Sequence, residues 1–193
     1  MKIYGASGHG GVVLDSILSS NGEVECFIDD ASKSKFLGFN VLPPDRLQAN
    51  DKVIIAVGNN SIRRELAEKI KGVAFTNAVH AKSIVSSHAS LGSGVAVMAG
   101  VVVNQGTVIG NHVILNTNCS VDHDCIIEDF VHVSPGATLC GGIKVGEATQ
   151  IGAGATILPN VVIGKNVVIG AGAVVIKDVA SNTKVAGVPS RLI

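Results

Sequence analysis

The chain has no tryptophan, one tyrosine and five phenylalanines, so aromatic rings make up only 3% of its 193 residues. A core without rings must be filled by Val, Ile, Leu and Ala, which favours narrow, regular packing layers. Charge of either sign is not in surplus: 15 Lys and Arg balance 15 Asp and Glu. With no basic tract and no interleaved aromatics, this excludes a field that would gather nucleic acid or anionic lipid. No uninterrupted apolar run reaches the roughly 18 residues of a membrane span. The opening "MKIYGASGHGG" places glycines where the apolar part of a secretion signal would lie. Cys26, Cys119, Cys125 and Cys140 show no C-x-x-C spacing. These absences predict a soluble, reduced, cytoplasmic protein of one large or two small domains.

Glycine is abundant, with 23 residues, and so are aliphatics. From Val85 the chain divides into units of six: VSSHAS, LGSGVA, VMAGVV, VNQGTV and so on to VIKDVA at Ala180. Every first position is Val, Ile or Leu, the fifth is small or β-branched with Ile143 the largest, and the second is often Gly. A helical period of 3.6 cannot keep an aliphatic in register at every sixth residue over such a length. A parallel β-solenoid can, with one short strand and one corner per unit and three units per triangular coil. First and fifth positions then face inward, and glycine serves the corners. Sixteen units make about five coils, a prism about 25 Å tall at ~4.8 Å per strand.

The first 80 residues follow another pattern. "KIYGASGHGG" reads as a strand and a glycine loop, Gly11 to Asn21 as a helix, and "EVECFIDD" and "KVIIAVGNN" as further strands. Asn60 or Ser61 can cap a helix "IRRELAEKIK", and "VAFTNAVH" leads out as a strand. This predicts a small Rossmann-like α/β domain over 1–80 and a β-helix over 81–193, with the boundary near Ala78 to Ser83. Gly5, Gly8 and Gly10 form G-x-x-G-x-G, not the dinucleotide fingerprint. The loop still opens a helix, where phosphate is favoured, and Asp29 and Asp30 follow at a spacing suited to a ribose or base. A plain tight turn with solvated acids is the alternative.

His123 is third in VDHDCI and His132 sixth in IEDFVH, so neither faces inward and both belong on the outer surface or at a corner. Nine residues is half a coil, which sets them on successive faces and makes joint metal ligation awkward; no metal is expected. A neutral imidazole suits a general base near neutral pH, and Asp124 next to His123 could orient it. Two ordinary surface histidines are the alternative. Cys119 and Cys125 occupy fifth positions and read as small core hydrophobes. His112 reads as a corner residue, His80 and His88 as surface. Lys165 and Lys177 could attract phosphate or be merely solvated.

"GASGHG", "AVGNN", "LNTNCSVDHDC", "HVSPGA" and the closing "VAGVPSRLI" together resemble the hexapeptide-repeat sugar acyltransferases. The similarity is to the bacillosamine-type UDP-4-amino-sugar N-acetyltransferases and the related sialic acid O-acetyltransferases, over essentially the whole chain. The resemblance implies a left-handed β-helix, a homotrimer with active sites between subunits, and acetyl-CoA as co-substrate. It implies His123 as general base with Asp124 as its acidic partner. His132 would contact the acetyl group, and Gly141 would supply a backbone N–H to the thioester carbonyl. Acetyl-CoA would further lie along Ala153, Gly170, Gly187 and Pro189. Gly8, His9, Gly10, Asp29, Asp30, Asn59 and Asn116 would hold the nucleotide sugar, with Asn116 near the acceptor amine. The dyad acid is Asp here and shorter than Glu, so its bond to His123 is expected to be long or water-mediated. Transfer to a sialic acid hydroxyl, a nucleotide-sensing scaffold and a three-histidine zinc carbonic anhydrase stay open as alternatives.

Overall fold

The computed structural model describes residues 1–31 and 34–193. Its first part is an α/β unit. Strand β1 (Lys2–Tyr4), helix α1 (Gly8–Ser19), β2 (Cys26–Ile28), β3 (Lys35–Phe36), β4 (Phe39–Leu42), β5 (Lys52–Ile55), α2 (Asn60–Lys69) and β6 (Ala74–Phe75) follow in order. They form a sheet of order β3-β4-β2-β1-β5-β6, parallel except where β3 hairpins onto β4. Two expectations shift. Helix α1 begins at Gly8, not Gly11, because the glycine loop closes within Gly5–Ser7. The cap of α2 is Asn59, whose side chain accepts from Ile62 N at 3.0 Å; Asn60 is instead turned inward.

The rest is a parallel β-solenoid with three faces. The first runs from Ala78–Val79 to Lys184–Ala186, the second from Ile84–Val85 to Val174–Val175, and the third from Ser90–Leu91 to Val162–Ile163. Strands pair with those one coil away: Ala96 with Ile114, Val102 with Ser120, Val108 with Ile126. The coil winding thus starts one unit before Val85. It ends differently as well. Ile163 bridges Val179 rather than residue 181, so the last corner is shorter than a full six-residue unit, and Asp178 tightens it by accepting from Val162 N at 2.8 Å.

First-position residues from Val97 to Val175 are at most 2% exposed, and Cys119 and Cys125 are sealed inside as the fifth-position rule requires. Thr107 and Thr149 are buried fifth positions that donate to the Asp122 and Gly164 carbonyls, both at 2.7 Å. Glycine does serve the corners, at the fourth position, as at Gly94, Gly136 and Gly154. Left-handed φ values, 54° to 73°, fall at the fourth position of fourteen consecutive units from Gly94 to Gly172. Second-position glycines are needed for a different reason, since coils stack too closely there for a side chain. A Cβ on Gly152 would lie 2.5 Å from the Ile169 carbonyl oxygen. Each non-glycine corner costs roughly 1–2 kcal/mol. Each buried aliphatic beneath returns roughly 1.5–3 kcal/mol, so the stack tolerates His112, Asp124 or Phe130 at a corner.

The α/β unit roofs the first face. Helix α1 packs on its first strand, and the outward side chains Ala96, Ile114 and His132 are buried. At one edge the His112 ring stacks on Phe130 at 5.1 Å and meets Phe75 of β6 edge-on at 4.5 Å.

Candidate active site

His123 and Asp124 stand on the corner between the second and third faces. Asp122 Oδ1 caps the corner by accepting from His123 N at 2.8 Å, and Asn104 holds that carboxylate from the coil below at 2.7 Å. Asp124 takes the left-handed corner conformation, φ 57°, which swings its carboxylate beside the preceding ring. His123 Nδ1 and Asp124 Oδ2 are 2.8 Å apart. The contact is direct, so the expectation of a long or water-mediated bond fails: backbone direction offsets the shorter side chain. Nδ1–H donates to the carboxylate, which leaves Nε2 bare. The Asp124 carboxylate, with Asp122 adding, raises the imidazole above its ordinary value.

Nε2 faces Gly141 of the next coil, where a Cβ would lie 2.6 Å from it. The third-position N–H of a coil has no backbone partner, and at His123 and Thr117 the preceding Asp122 and Asn116 side chains fill that role. Cys140 precedes Gly141 and does not, so the Gly141 N–H makes no hydrogen bond among the described residues. His123, Asp124 and Gly141 line a shallow cleft of about 390 Å³ with Asp122, Cys140, Gly142, Pro159 and Asn160. Pro159 and Asn160 were not singled out from the sequence, although they occupy the same corner as His123 two coils on.

His132 lies elsewhere, on the first face, and it is not at the surface: the α/β unit covers it to 9% exposure. Its Nδ1 is 3.2 Å from the Gly58 carbonyl, its Nε2 3.0 Å from Asn116 Nδ2, and its ring 6.3 Å from that of His9. Burial, then the charge of Arg63, lowers His9 and His132 to about 4, so both are neutral at physiological pH.

The remaining sequence candidates divide. Gly8 is exposed at the start of α1, whereas Gly10 is buried, and a Cβ there would collide with the Gly5 carbonyl. Asp29 spends both oxygens on the loop, accepting from Ala6 N at 2.6 Å and Ala31 N at 2.8 Å. Asp30 is exposed and accepts from Tyr4 Oη at 2.8 Å, and Asn59 is occupied as a helix cap. Ala153, Gly170 and Gly187 follow first-face strands, on the same corner column as Asn116. Pro189 lines a groove of about 480 Å³ beside Lys177 and Arg191, where the tail folds back as Arg191–Leu192 on Lys184–Ala186. The chain therefore carries two candidate clusters, on different corners. Among the described residues, no group of three or more His, Cys, Asp or Glu is arranged to hold a metal ion, and no helix is long and apolar enough to cross a membrane.

Comparison with known proteins follows the same division. Residues 1–70 match the PglD N-terminal domain, and residues 142–177 match the bacterial transferase hexapeptide (six repeats). The GDP-perosamine N-acetyltransferase of Escherichia coli O157:H7 is 34% identical over 168 residues, covering 79% of this chain and 76% of its own. A histidine-to-asparagine variant of the perosamine N-acetyltransferase of Caulobacter crescentus, solved with CoA and GDP-perosamine, superposes with a TM-score of 0.96. It is 36% identical over all of this chain and 95% of its own. The acetyltransferase domain of PglB from Neisseria gonorrhoeae superposes with a TM-score of 0.94 at 37% identity, over all of this chain and 98% of its own. On a shared solenoid, a shared front domain and identity sustained through both, the chain belongs to the hexapeptide-repeat sugar acyltransferases, in the branch of N-acetyltransferases for nucleotide-linked amino sugars.

Proposed function

We propose that this protein transfers acetyl from acetyl-CoA to the 4-amino group of a nucleotide-linked amino-dideoxy sugar, by direct attack assisted by His123. The observation that carries the reading is the dyad: His123 held by Asp124 at 2.8 Å, with its free Nε2 beside the unpaired Gly141 N–H. The amine lone pair attacks the thioester carbonyl carbon as Nε2 takes the amine proton. The carbonyl oxygen gathers negative charge, and the Gly141 N–H stabilises it. The C–S bond then breaks, and the thiolate leaves with the proton that His123 returns. No acyl-enzyme is required, and the sealed Cys119 and Cys125 are out of reach.

The same reading accounts for the two clusters. In a homotrimer of left-handed β-helices, the dyad corner of one protomer meets the Asn116–His132 corner of its neighbour. Acetyl-CoA runs up the column of Ala153, Gly170 and Gly187 toward Pro189. The Rossmann-like domain of residues 1–80 holds the nucleotide through Gly8, His9 and Asp30, and residues 81–193 carry the transfer. Four free cysteines fit a cytoplasmic setting. A UDP-sugar is our reading of the acceptor. A GDP-sugar is the second, favoured by the relative at 34% identity.

The test is thiol release from acetyl-CoA against UDP- and GDP-linked 4-amino sugars, with CMP- and free sialic acids beside them. Turnover on a nucleotide amino sugar is expected, with His123→Ala lowering kcat/KM by roughly 10²–10⁴. Turnover on the sialic acids alone would mean O-acetylation, and an unchanged rate in the variant would remove His123 from the chemistry.

A further inference from the structure

Arg63 is the bulkiest side chain in the molecule with no solvent exposure. No carboxylate lies within ion-pair distance of it among the described residues. Its fork is satisfied by neutral oxygens from both halves of the chain. Nε donates to the His112 carbonyl at 2.8 Å and Nη1 to the Val57 and Gly58 carbonyls at 2.9 and 3.3 Å. Nη2 donates to Asn60 Oδ1 and the Phe130 carbonyl, both at 2.8 Å. Val57 and Gly58 follow β5, whereas His112 and Phe130 are corner residues of two successive coils. Asn60 carries the tie further, with Nδ2 donating to the Ala148 carbonyl at 3.0 Å. A buried guanidinium is expensive to desolvate, and apolar replacements for buried ions are often neutral or better. Mere packing is therefore a poor account of it.

What it holds points to the site. The Gly58 carbonyl gripped by Arg63 is the one that His132 meets through Nδ1. A carbonyl only accepts, so Nδ1 carries the proton. On the other side, Asn116 Oδ1 accepts from Thr117 N at 2.8 Å, which leaves its NH₂ as the group facing His132 Nε2. Nε2 must then be bare. Both ends of the imidazole demand the same neutral tautomer.

We propose that Arg63 is a positioning residue of the transfer site: by clamping Gly58 onto the coil corners it fixes His132 as its Nδ1–H tautomer and, through Nε2, orients the Asn116 amide toward the acceptor. The proposal rests on the acetyltransferase reading above. Lysine cannot substitute, because a point charge with three donors does not reach the four carbonyls that the guanidinium fork engages.

The test pairs two readouts on the full-length protein. In ¹⁵N-histidine spectra at pH 7, wild-type His132 is expected as the pure Nδ1–H form. In Arg63→Lys and Arg63→Gln it is expected as a mixture of tautomers. The folded variants should lose kcat by on the order of 10²-fold, with KM for acetyl-CoA nearly unchanged and the pH dependence set by His123 unmoved. An Nε2–H or imidazolium His132 in the wild type overturns the proposal whatever the variants do. A wild-type tautomer and kcat in a folded variant overturns it too. Wild-type protein that acetylates none of the acceptors refutes the acetyltransferase reading instead, and the tautomer comparison still decides what Arg63 fixes.

Discussion

At the scale of the residue, the His123–Asp124 pair makes a directional pH prediction. Only the neutral ring can accept a proton, and its fraction grows as pH rises through the His123 pKa. Asp124 holds that value above the ordinary imidazole range near 6.5, so the ascending limb of kcat/KM should lie above that pH. Asp124→Asn removes the anion: the limb should move to lower pH while the plateau falls on the order of 10²–10⁴-fold, since the amide no longer selects the Nδ1–H ring. Rate profiles of both proteins from pH 5.5 to 9 provide the check, and a limb that stays in place would exclude Asp124 as the partner. The third-position register of His123 turns it outward, but its role as base comes only with the resemblance of the surrounding motifs. The 2.8 Å contact was not legible, because it depends on the left-handed turn at Asp124, and identity at that position does not announce φ. His132 was misjudged for a related reason: its sixth-position register correctly turns it outward, but register cannot say that another domain lies on that face.

At the scale of the element, the six-residue unit separates two demands on glycine that a sequence shows as one letter. A Cβ at Gly152 meets the backbone of the next coil, whereas one at Gly154 meets nothing within 4 Å and faces only φ +66°. Ala148 already sits at φ 57°. Gly152→Ala should therefore cost about 3 kcal/mol, the upper end for overpacking. Gly154→Ala should cost about 1 kcal/mol, strain partly offset by a stiffer unfolded chain. Denaturant melts of the two variants check this, and equal losses would contradict the close stacking. The solenoid itself was legible because its signal repeats many times over. The short hairpin of β3 and β4 was not, as strands of two and four residues that occur once carry no period. Arg63 escaped notice as one of two adjacent arginines, yet its spacing from Leu66, Ala67 and Ile70 puts it on the buried stripe of α2.

At the scale of the whole molecule, three histidines, His9, His112 and His132, are held neutral in the fold, each lowered to about 4 chiefly by burial. The unfolded chain takes up these protons near pH 6.5 and the folded chain refuses them until about 4. Stability must then fall as pH drops through that window. Melting temperature should decline steadily between pH 6.5 and 4, and His112→Phe should make the decline shallower. Phenylalanine already occupies the same left-handed corner one coil away, at Phe130. A flat profile would mean that the roof over the first face opens before it titrates.

The fourteen matching corners also bear on how such a molecule can change. One backbone geometry recurs from Gly94 to Gly172, so a catalytic side chain needs no loop of its own, only a storey. A base written one unit-triplet later would stand in the same pose a single strand spacing higher, about 4.8 Å along the shaft. Reach between donor and acceptor is thereby graduated like the marks on a ruler, and a substrate of different length can be met by moving the chemistry up a floor rather than by rebuilding the house.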